Sequence, residues 1–244
     1  MTDPSLKKNE AVLLDELYRR YATEGGRRRW IYLRKKWAWL AVVQGAKSLK
    51  RFLDVCIALS ILFFFLPLWI VIISLIWLTD QGSVLYISKR VGKWGKEFSF
   101  YKFRSMHIDA DKLKKELLSY NQHQEGVTFK IKDDPRITWI GKILRRTSLD
   151  EVPQLINVLK GDMSLVGPRP PLPEEVEKYS LEERRRLDVA PGITCIWQVS
   201  GRSEIPFSGQ VRLDLEYIES RSVWGDIKLL IRTIPAVILG KGAY

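Results

Sequence analysis

Cysteine and histidine are nearly missing from this sequence: Cys56, Cys195, His107 and His123 are the only four among 244 residues. Two cysteines exclude a disulfide scaffold, and no metal-type cluster can be built at these spacings. Charge of either sign is missing from residues 55–79, a run of 25 residues between Asp54 and Asp80. Internal repeats and low-complexity linkers are also missing. So is a Walker loop, since Gly92-Lys93-Trp94-Gly95-Lys96 lacks both the spacing and the Ser/Thr after lysine. Aromatic and branched residues are not scarce, and at 46% hydrophobic residues the chain is no disordered polymer. The length suits one core of ordinary domain size and is too short for several domains plus a polytopic bundle.

What is abundant is positive charge. Lys and Arg number 40 against 28 Asp and Glu, a net charge of +12. That excess points to an anionic partner: nucleic acid, an acidic membrane surface or a phosphorylated substrate. Position decides among them. Residues 1–51 hold 13 Lys and Arg with 5 Asp and Glu, so +8 of the excess lies ahead of the uncharged run. That run is long enough to cross a hydrocarbon core as a helix. It is too long, and too deep in the chain, for a cleaved signal peptide. The protein is therefore expected to be membrane-bound.

Pro67 stands at the middle of the run, where proline removes a helix hydrogen bond and clashes with the turn before it. Residues 34–51 and 81–104 each carry six Lys and Arg, so the asymmetry that orients a span is absent. Equal basic flanks suit a broken helix that enters and returns, with both ends on the cytoplasmic, anionic side. An ordinary kinked span is the alternative. Trp30, Tyr32, Trp37 and Trp39 are interleaved with Arg27, Arg28, Arg29, Arg34, Lys35 and Lys36, which reads as an interfacial helix on headgroups. The same mixture could stack on single-stranded nucleic acid, but its place beside the uncharged run favours the membrane.

Beyond residue 80 the pattern is that of a soluble mixed α/β unit. Residues 84–88 and 98–103 read as strands around a Gly92/Gly95 turn, and 107–122 as a helix. A strand-like 136–140 precedes a helical 151–159, a short segment at 163–166 and a proline loop at 168–173. Residues 174–188 read as charged helix, Pro191-Gly192 as a turn leading into 193–199, and 207–219 and 225–238 as closing helices.

Arg145-Arg146-Thr147-Ser148-Leu149-Asp150-Glu151-Val152-Pro153 is the strongest local constellation. Asp150 and Glu151 would stand in a first helical turn, where the helix dipole keeps carboxylates ionised. An ionised aspartate can attack phosphorus as a covalent nucleophile, and nearby arginines would draw a phosphate in. Ser148-x-x-Glu151 also reads as a plain capping box. That start would put Pro153 at the fifth helical position, whereas a start at Asp150 puts it in the first turn.

Lys102 and Arg104, alternate residues of an extended strand, share a face about 7 Å apart and can straddle a diphosphate; a strand facing headgroups fits as well. Arg169 between Pro168 and Pro170 projects from a stiff loop able to grip an anion, or marks a simple turn. Arg184, Arg185 and Arg186 read as a solvated or headgroup-facing surface. Asp109-Ala110-Asp111 has the D-x-D form used for divalent metals, but on a helix its carboxylates point about 200° apart. Asp133-Asp134 read as a turn before Pro135, and Asp214 as a solvated helix residue, with a metal role as the alternative for each.

Several motifs follow one another along the chain. Lys50-Arg51-x-x-Asp54 precedes the proline-broken run, and Tyr101-Lys102-Phe103-Arg104-Ser105-Met106 and Asp134-Pro135-Arg136-Ile137-Thr138 come after it. The Asp150 constellation, Met163-Ser164-Leu165-Val166-Gly167-Pro168-Arg169-Pro170 and Pro191-Gly192-Ile193-Thr194 come next. Trp197-Gln198-Val199-Ser200-Gly201-Arg202 and Gly242-Ala243-Tyr244 close the series. Over roughly residues 47–244 this series resembles the bacterial sugar transferase family, the monotopic phosphoglycosyl transferases.

The resemblance implies an α+β, monotopic membrane protein, and with the chain's own basic, aromatic N-terminal segment the expected parts are three. These are an interfacial segment (1–46), a re-entrant helix–break–helix anchor (47–80) broken at Pro67, and a compact mixed α/β cytoplasmic catalytic unit with amphipathic interfacial helices (81–244). It implies transfer of a sugar-1-phosphate from a UDP-sugar to undecaprenyl phosphate with release of UMP. The place would be the cytoplasmic face of the inner membrane, and the reaction the first membrane step of exopolysaccharide, capsule or O-antigen synthesis. Asp150 matches the family's nucleophile, through a covalent phosphosugar intermediate, and Glu151 the glutamate that assists it. Mg²⁺, assigned to Asp150 and Glu151, offsets the diphosphate charge. Arg169, with Pro168 and Pro170, matches the loop at the nucleotide, and Lys102, Arg104, Arg145 and Arg202 are carried over as substrate or phosphate contacts. Two positions depart from the pattern: Leu66-Pro67 replaces the common Ser-Pro at the break, and Cys195 stands where glycine is frequent.

Glucose is the first expected sugar and galactose the next. Membrane lipids join the two substrates as expected partners, nucleic acid does not, and a second copy could pack against the basic N-terminal segment as a homo-oligomer. A non-enzymatic membrane adaptor for anionic partners is the competing reading, and glycosyl transfer releasing UDP a third. The nucleotide product separates them.

Overall fold

An uncharged helix with proline at its centre must kink or start again, and this one starts again. The computed structural model of the protein describes residues 26–110, 134–201 and 204–239. Helix α1 (Gly26–Phe64) stops at Phe65, and α2 (Leu66–Asp80) leaves it at an angle of 67°. Pro67 lies in the first turn of α2, where no helical hydrogen bond needs its N–H. Among the described residues no single helix is long and apolar enough to cross a membrane. The bent pair together meets the requirement, as a broken span or a re-entrant loop. The hydroxyls of Ser60, Ser74 and Thr79 donate to the carbonyls of Cys56, Ile70 and Leu75 one turn back, so they find their partners within the helices.

The chain divides into two compact units, Met1–Lys50 and Arg51–Tyr244. In the first, the helix exposes Trp30, Trp37 and Trp39, and the Arg34 guanidinium lies 5.3 Å over the Trp30 ring.

The second unit is α+β. Strands β1 (Leu85–Val91) and β2 (Glu97–Phe103) form an antiparallel hairpin with Tyr86 opposite Lys102. Strands β3 (Ser164–Val166) and β4 (Gly192–Thr194) pair in parallel, Ser164 against Gly192. Helices α3 (Trp139–Arg146) and α4 (Gln154–Lys160) lie between the two sheets in sequence, with α5 (Pro173–Glu177) and α6 (Leu181–Arg184) after β3. Helices α7 (Ile196–Ser200), α8 (Phe207–Ser220) and α9 (Val223–Leu239) follow β4.

The apolar run is part of this body rather than a tether to it. Ala58 joins a core with Phe100, Leu155, Val158, Met163 and Val166, while Trp69, Ile72 and Ile76 join another with Phe103, Ile140 and Leu144. Positions 69, 72 and 76 recur at helical spacing, so α2 buries one stripe and leaves Leu66, Ile70 and Ile73 exposed. Charged residues fasten both ends of the run. Arg51 donates to the carbonyls of Val158 and Leu159 at the end of α4, where the helix dipole favours a cation. Asp54 accepts from Ser164 Oγ (2.8 Å) and Leu165 N (3.2 Å), and Asp80 from Ile108 N (2.9 Å). The Arg51-x-x-Asp54 motif is thus a clasp between the anchor and the strand and helix behind the site.

Three expectations of secondary structure are corrected. Residues 136–140 form no strand; only an isolated bridge joins Met106 to Ile137, and Thr138 Oγ1 accepts from Gly141 N (3.0 Å) to cap α3. Gly141 permits this because its backbone presses on that of Ser105, where a Cβ would collide. The charged segment 174–188 is not one helix, because Ser180 and Glu183 form a capping box that starts α6 afresh. Gly192, expected in a turn with Pro191, opens β4, and α7 follows from Ile196. Most of the helix expected at 107–122, with Asp111, His123, Asp133, Arg202 and Gly242-Ala243-Tyr244, lies outside the described residues.

Candidate active site

Asp150 and Glu151 precede helix α4 rather than opening it. They lie on a 3₁₀ turn (Leu149–Glu151) introduced by Ser148, which holds a left-handed φ of 55°. Such a conformation costs a non-glycine residue about 1–3 kcal/mol and tends to persist where function needs it. The Ser148 side chain makes no capping hydrogen bond, so the capping box with Glu151 is not formed. Glu151 turns to Lys102 instead.

Lys102 Nζ stands 2.7 Å from Glu151 Oε1 and 3.5 Å from Asp150 Oδ2. Arg169 Nη1 approaches Glu151 Oε1 at 3.6 Å. A strand, a turn and a loop therefore converge on one cluster of charge. Asn157 fixes the strand to the helix behind the turn: its Oδ1 accepts from Tyr101 N (3.2 Å) and its Nδ2 donates to Ser99 O (2.7 Å). Sequence reasoning missed Asn157. The signal was there, a single amide inside Leu155-Ile156-Asn157-Val158-Leu159.

The proline loop is held by its carbonyls, since prolines have no N–H to give. Pro168 O accepts from Gly192 N (2.9 Å), Pro170 O from Arg90 (3.1 Å) and Pro171 O from Val91 N (2.9 Å). Arg169 is left projecting, 38% exposed. Arg90, also missed, lies 5.2 Å over the Phe100 ring; burial, and then the charge of Arg169, bring it down to about 10. Arg145 donates from Nε to Ser105 Oγ (2.9 Å). Burial lowers it as well, against the pull of Asp150 and Asp134. Arg104 goes elsewhere: its guanidinium packs over Gly82, where a Cβ would collide with it, beyond the end of α2. Pro67 belongs to the anchor break.

Burial pushes the Asp150 carboxyl above its ordinary range, with Lys102 and Arg145 opposing and Glu151 adding to the rise. Ionisation, expected from a helix dipole, is thus defended by side-chain cations. Among the described residues no group of three or more His, Cys, Asp or Glu is placed to hold a metal ion. The two carboxylates do converge on one cation, Lys102 Nζ. That donor set suits Mg²⁺, which takes one or two carboxylates and completes its shell from phosphates and water.

Other charged residues have structural roles. Asp134 Oδ2 binds Arg136 Nη2 at 2.6 Å, closing the turn before α3. Asp214 and Arg186 correct the expectation of solvated residues. Both are buried with Nη2 and Oδ2 2.7 Å apart, because the Arg186 guanidinium lies against the rings of Tyr179 and Phe207. Arg185, by contrast, is exposed and pairs with Glu219. Cys195 has an extended φ of −150° that any residue adopts, so a side chain in place of glycine brings no strain there.

A buried aspartate under the charge of Lys102 and Arg145, with a second carboxylate and Arg169 next to it, forms a site suited to handling anions. Residues 45–240 match the bacterial sugar transferase family, and the chain belongs to that family. It is 54% identical over 165 residues to the galactosyl transferase CpsE of Streptococcus agalactiae serotype III (strain NEM316), covering 67% of this chain and 36% of that protein. It is 42% identical over 204 residues to the undecaprenyl-phosphate galactose phosphotransferase of Salmonella typhimurium (strain LT2), covering 82% and 43%. It is 36% identical over 203 residues to the UDP-glucose:undecaprenyl-phosphate glucose-1-phosphate transferase of Caulobacter vibrioides, covering 80% and 72%. The chain thus spans less than half the length of the first two.

Proposed function

We propose that the protein moves a hexose-1-phosphate from a UDP-hexose to undecaprenyl phosphate, releasing UMP. The hexose is glucose or galactose, the sugars that the relatives' names carry. One observation carries the reading: a buried aspartate, Asp150, beside a carboxylate and under the charge of Lys102 and Arg145. In the first displacement an Asp150 oxygen bonds to the sugar-proximal phosphorus, and the P–O bond to UMP breaks with its electron pair leaving on UMP. In the second, an oxygen of the lipid phosphate bonds to that phosphorus, the Asp150–phosphorus bond breaks, and the carboxylate is restored. Lys102, Arg145 and Arg169 neutralise the phosphates, and Glu151 holds Lys102 and Arg169 beside the nucleophile. When bound, Mg²⁺ offsets the diphosphate charge, with Glu151 and Asp150 as protein donors.

The anchor is re-entrant in this reading, with both flanks at the cytoplasmic face of the inner membrane. The 67° bend, the six cations on each side and the exposed Phe63, Phe64 and Phe65 at the break support it. This membrane step serves exopolysaccharide or capsule synthesis. The test is incubation with UDP-glucose or UDP-galactose and Mg²⁺, with and without undecaprenyl phosphate. UMP, and a hexose phosphate carried on the Asp150 peptide when acceptor is withheld, are expected. UDP as product would replace the reading with glycosyl transfer, and no nucleotide release would return it to an adaptor. For topology, cysteines placed near residues 30 and 90 should be labelled from the same side; opposite sides would leave a span.

A further inference from the structure

Lys102 and Arg104 are two residues apart, yet they face different surroundings. Lys102 meets the carboxylates. The Arg104 guanidinium lies over Gly82, and its backbone N–H donates to Val84 O at 2.9 Å. Val84 is also the far wall of an apolar groove of about 460 Å³, whose other lining residues are Ile73, Ser74, Trp77 and Leu78 of α2. Ile73, Trp77 and Leu78 belong to the uncharged run and are exposed, so the groove opens to whatever medium receives the anchor. Its lining carries no charge, and the Arg104 guanidinium packs over Gly82, two residues before Val84 in the chain.

We infer that this groove receives the first isoprene units of a polyprenyl phosphate, with Arg104 on its phosphate. The inference rests on the acceptor proposed above and assigns its place. A wall without charge, ended by a cation, is complementary to a long apolar tail with a single phosphate head. Along the chain the two cations are one strand step apart, about 7 Å between Cα atoms, so the acceptor's cation neighbours the residue that meets Asp150. The two cations divide the substrates between them, Lys102 with the donor and Arg104 with the acceptor. Gly82 is then a specificity position, since any larger residue displaces the guanidinium.

The test compares geranyl phosphate with undecaprenyl phosphate in steady-state turnover. Ser74→Phe, which fills the groove, should raise KM for undecaprenyl phosphate about tenfold and abolish its advantage over geranyl phosphate. Arg104→Gln and Gly82→Val should raise KM for both acceptors. A surviving chain-length advantage in Ser74→Phe, or a higher KM for UDP-hexose instead of acceptor in Arg104→Gln, would overturn the assignment. Because variants in the anchor can misfold, the wild-type protein in nanodiscs is also labelled with a diazirine-bearing polyprenyl phosphate. Label within residues 73–84, competed by undecaprenyl phosphate but not by phosphatidylglycerol, supports the groove. Label elsewhere, or equal competition by phosphatidylglycerol, removes it. Failure of the reaction itself looks different: the wild type would then release no UMP with either acceptor, whatever the label shows.

Discussion

The Arg186–Asp214 pair and the cluster around Asp150 both join buried carboxylates to cations, and they differ in how completely they are closed. In one, Arg186 reaches Asp214 Oδ2 through Nε at 2.8 Å and Nη2 at 2.7 Å, with the side chains only 4% and 0% exposed. In the other, Lys102 has one short contact, to Glu151, while its contact with Asp150 and that of Arg169 with Glu151 stretch to 3.5 and 3.6 Å. Arg169 is also 38% exposed. Burial raises both aspartates, Asp214 to about 6. Desolvation alone therefore does not mark the site. What marks it is a buried carboxylate with its cation held at 3.5 Å, next to Glu151, whose partner Arg169 is partly exposed and ready to exchange a protein partner for a phosphate.

The largest test of this contrast is Asp150→Asn, which keeps size and loses the nucleophile. UMP release should fall on the order of 10⁴-fold or more, with no hexose phosphate found on the protein by mass spectrometry. Next comes Arg186→Met, which should leave UMP chemistry aside and lower stability by about 3–5 kcal/mol at neutral pH, read by thermal melting. The loss should shrink at acid pH. Below about 6 Asp214 already carries a proton in the wild type and has less need of its cation. A melt shift equal at both pH values would mean that packing on Tyr179 and Phe207, not charge, is what Arg186 supplies.

The open cluster should respond through kinetics instead. Arg169→Lys keeps charge but loses the planar fork, and kcat/KM for UDP-hexose should fall about ten- to a hundredfold. For Asp150, the protonated carboxyl is no nucleophile, and its raised range means protonation sets in above the ordinary value near 4. The UMP burst measured by quenched flow should thus fall about tenfold per pH unit on the acid side, beginning above that value. Lys102→Met removes an opposing charge and should move the acid limb further up.

Some of this contrast was legible in the sequence. Arg145-Arg146 beside Asp150-Glu151, and an arginine between two prolines, put the right residue types in local reach, because those groupings are set by neighbours in the chain. The uncharged run and its proline break were legible for the same reason. What local pattern could not carry was pairing across the fold. Nothing within a few residues of Arg186 announces Asp214 or Tyr179, so a charged triplet read as surface. Arg104 shares strand alternation with Lys102, but where its long side chain goes was decided by the bare backbone of Gly82. Residues 136–140 misled because Ile137 and Ile140 look strand-like, while the cap on Thr138 depends on Gly141 meeting Ser105 from another element.

Arg185 and Arg186 bring the comparison down to adjacent residues. Arg185 Nη2 lies 2.9 Å from Glu219 Oε1, almost as short as the contact its neighbour makes with Asp214. The side chains of Arg185 and Glu219 are 47% and 64% exposed, however, so water already solvates each charge and competes with the pair. If distance set the worth of an ion pair, Arg185→Ala would cost nearly as much as Arg186→Met. If loss of solvent sets it, the cost should be about 0–0.5 kcal/mol and should vanish at high salt. Thermal melts of the two variants at low and high salt separate these outcomes. A large, salt-insensitive loss in Arg185→Ala would show that burial was the wrong measure for the closed assembly and, with it, for the open one.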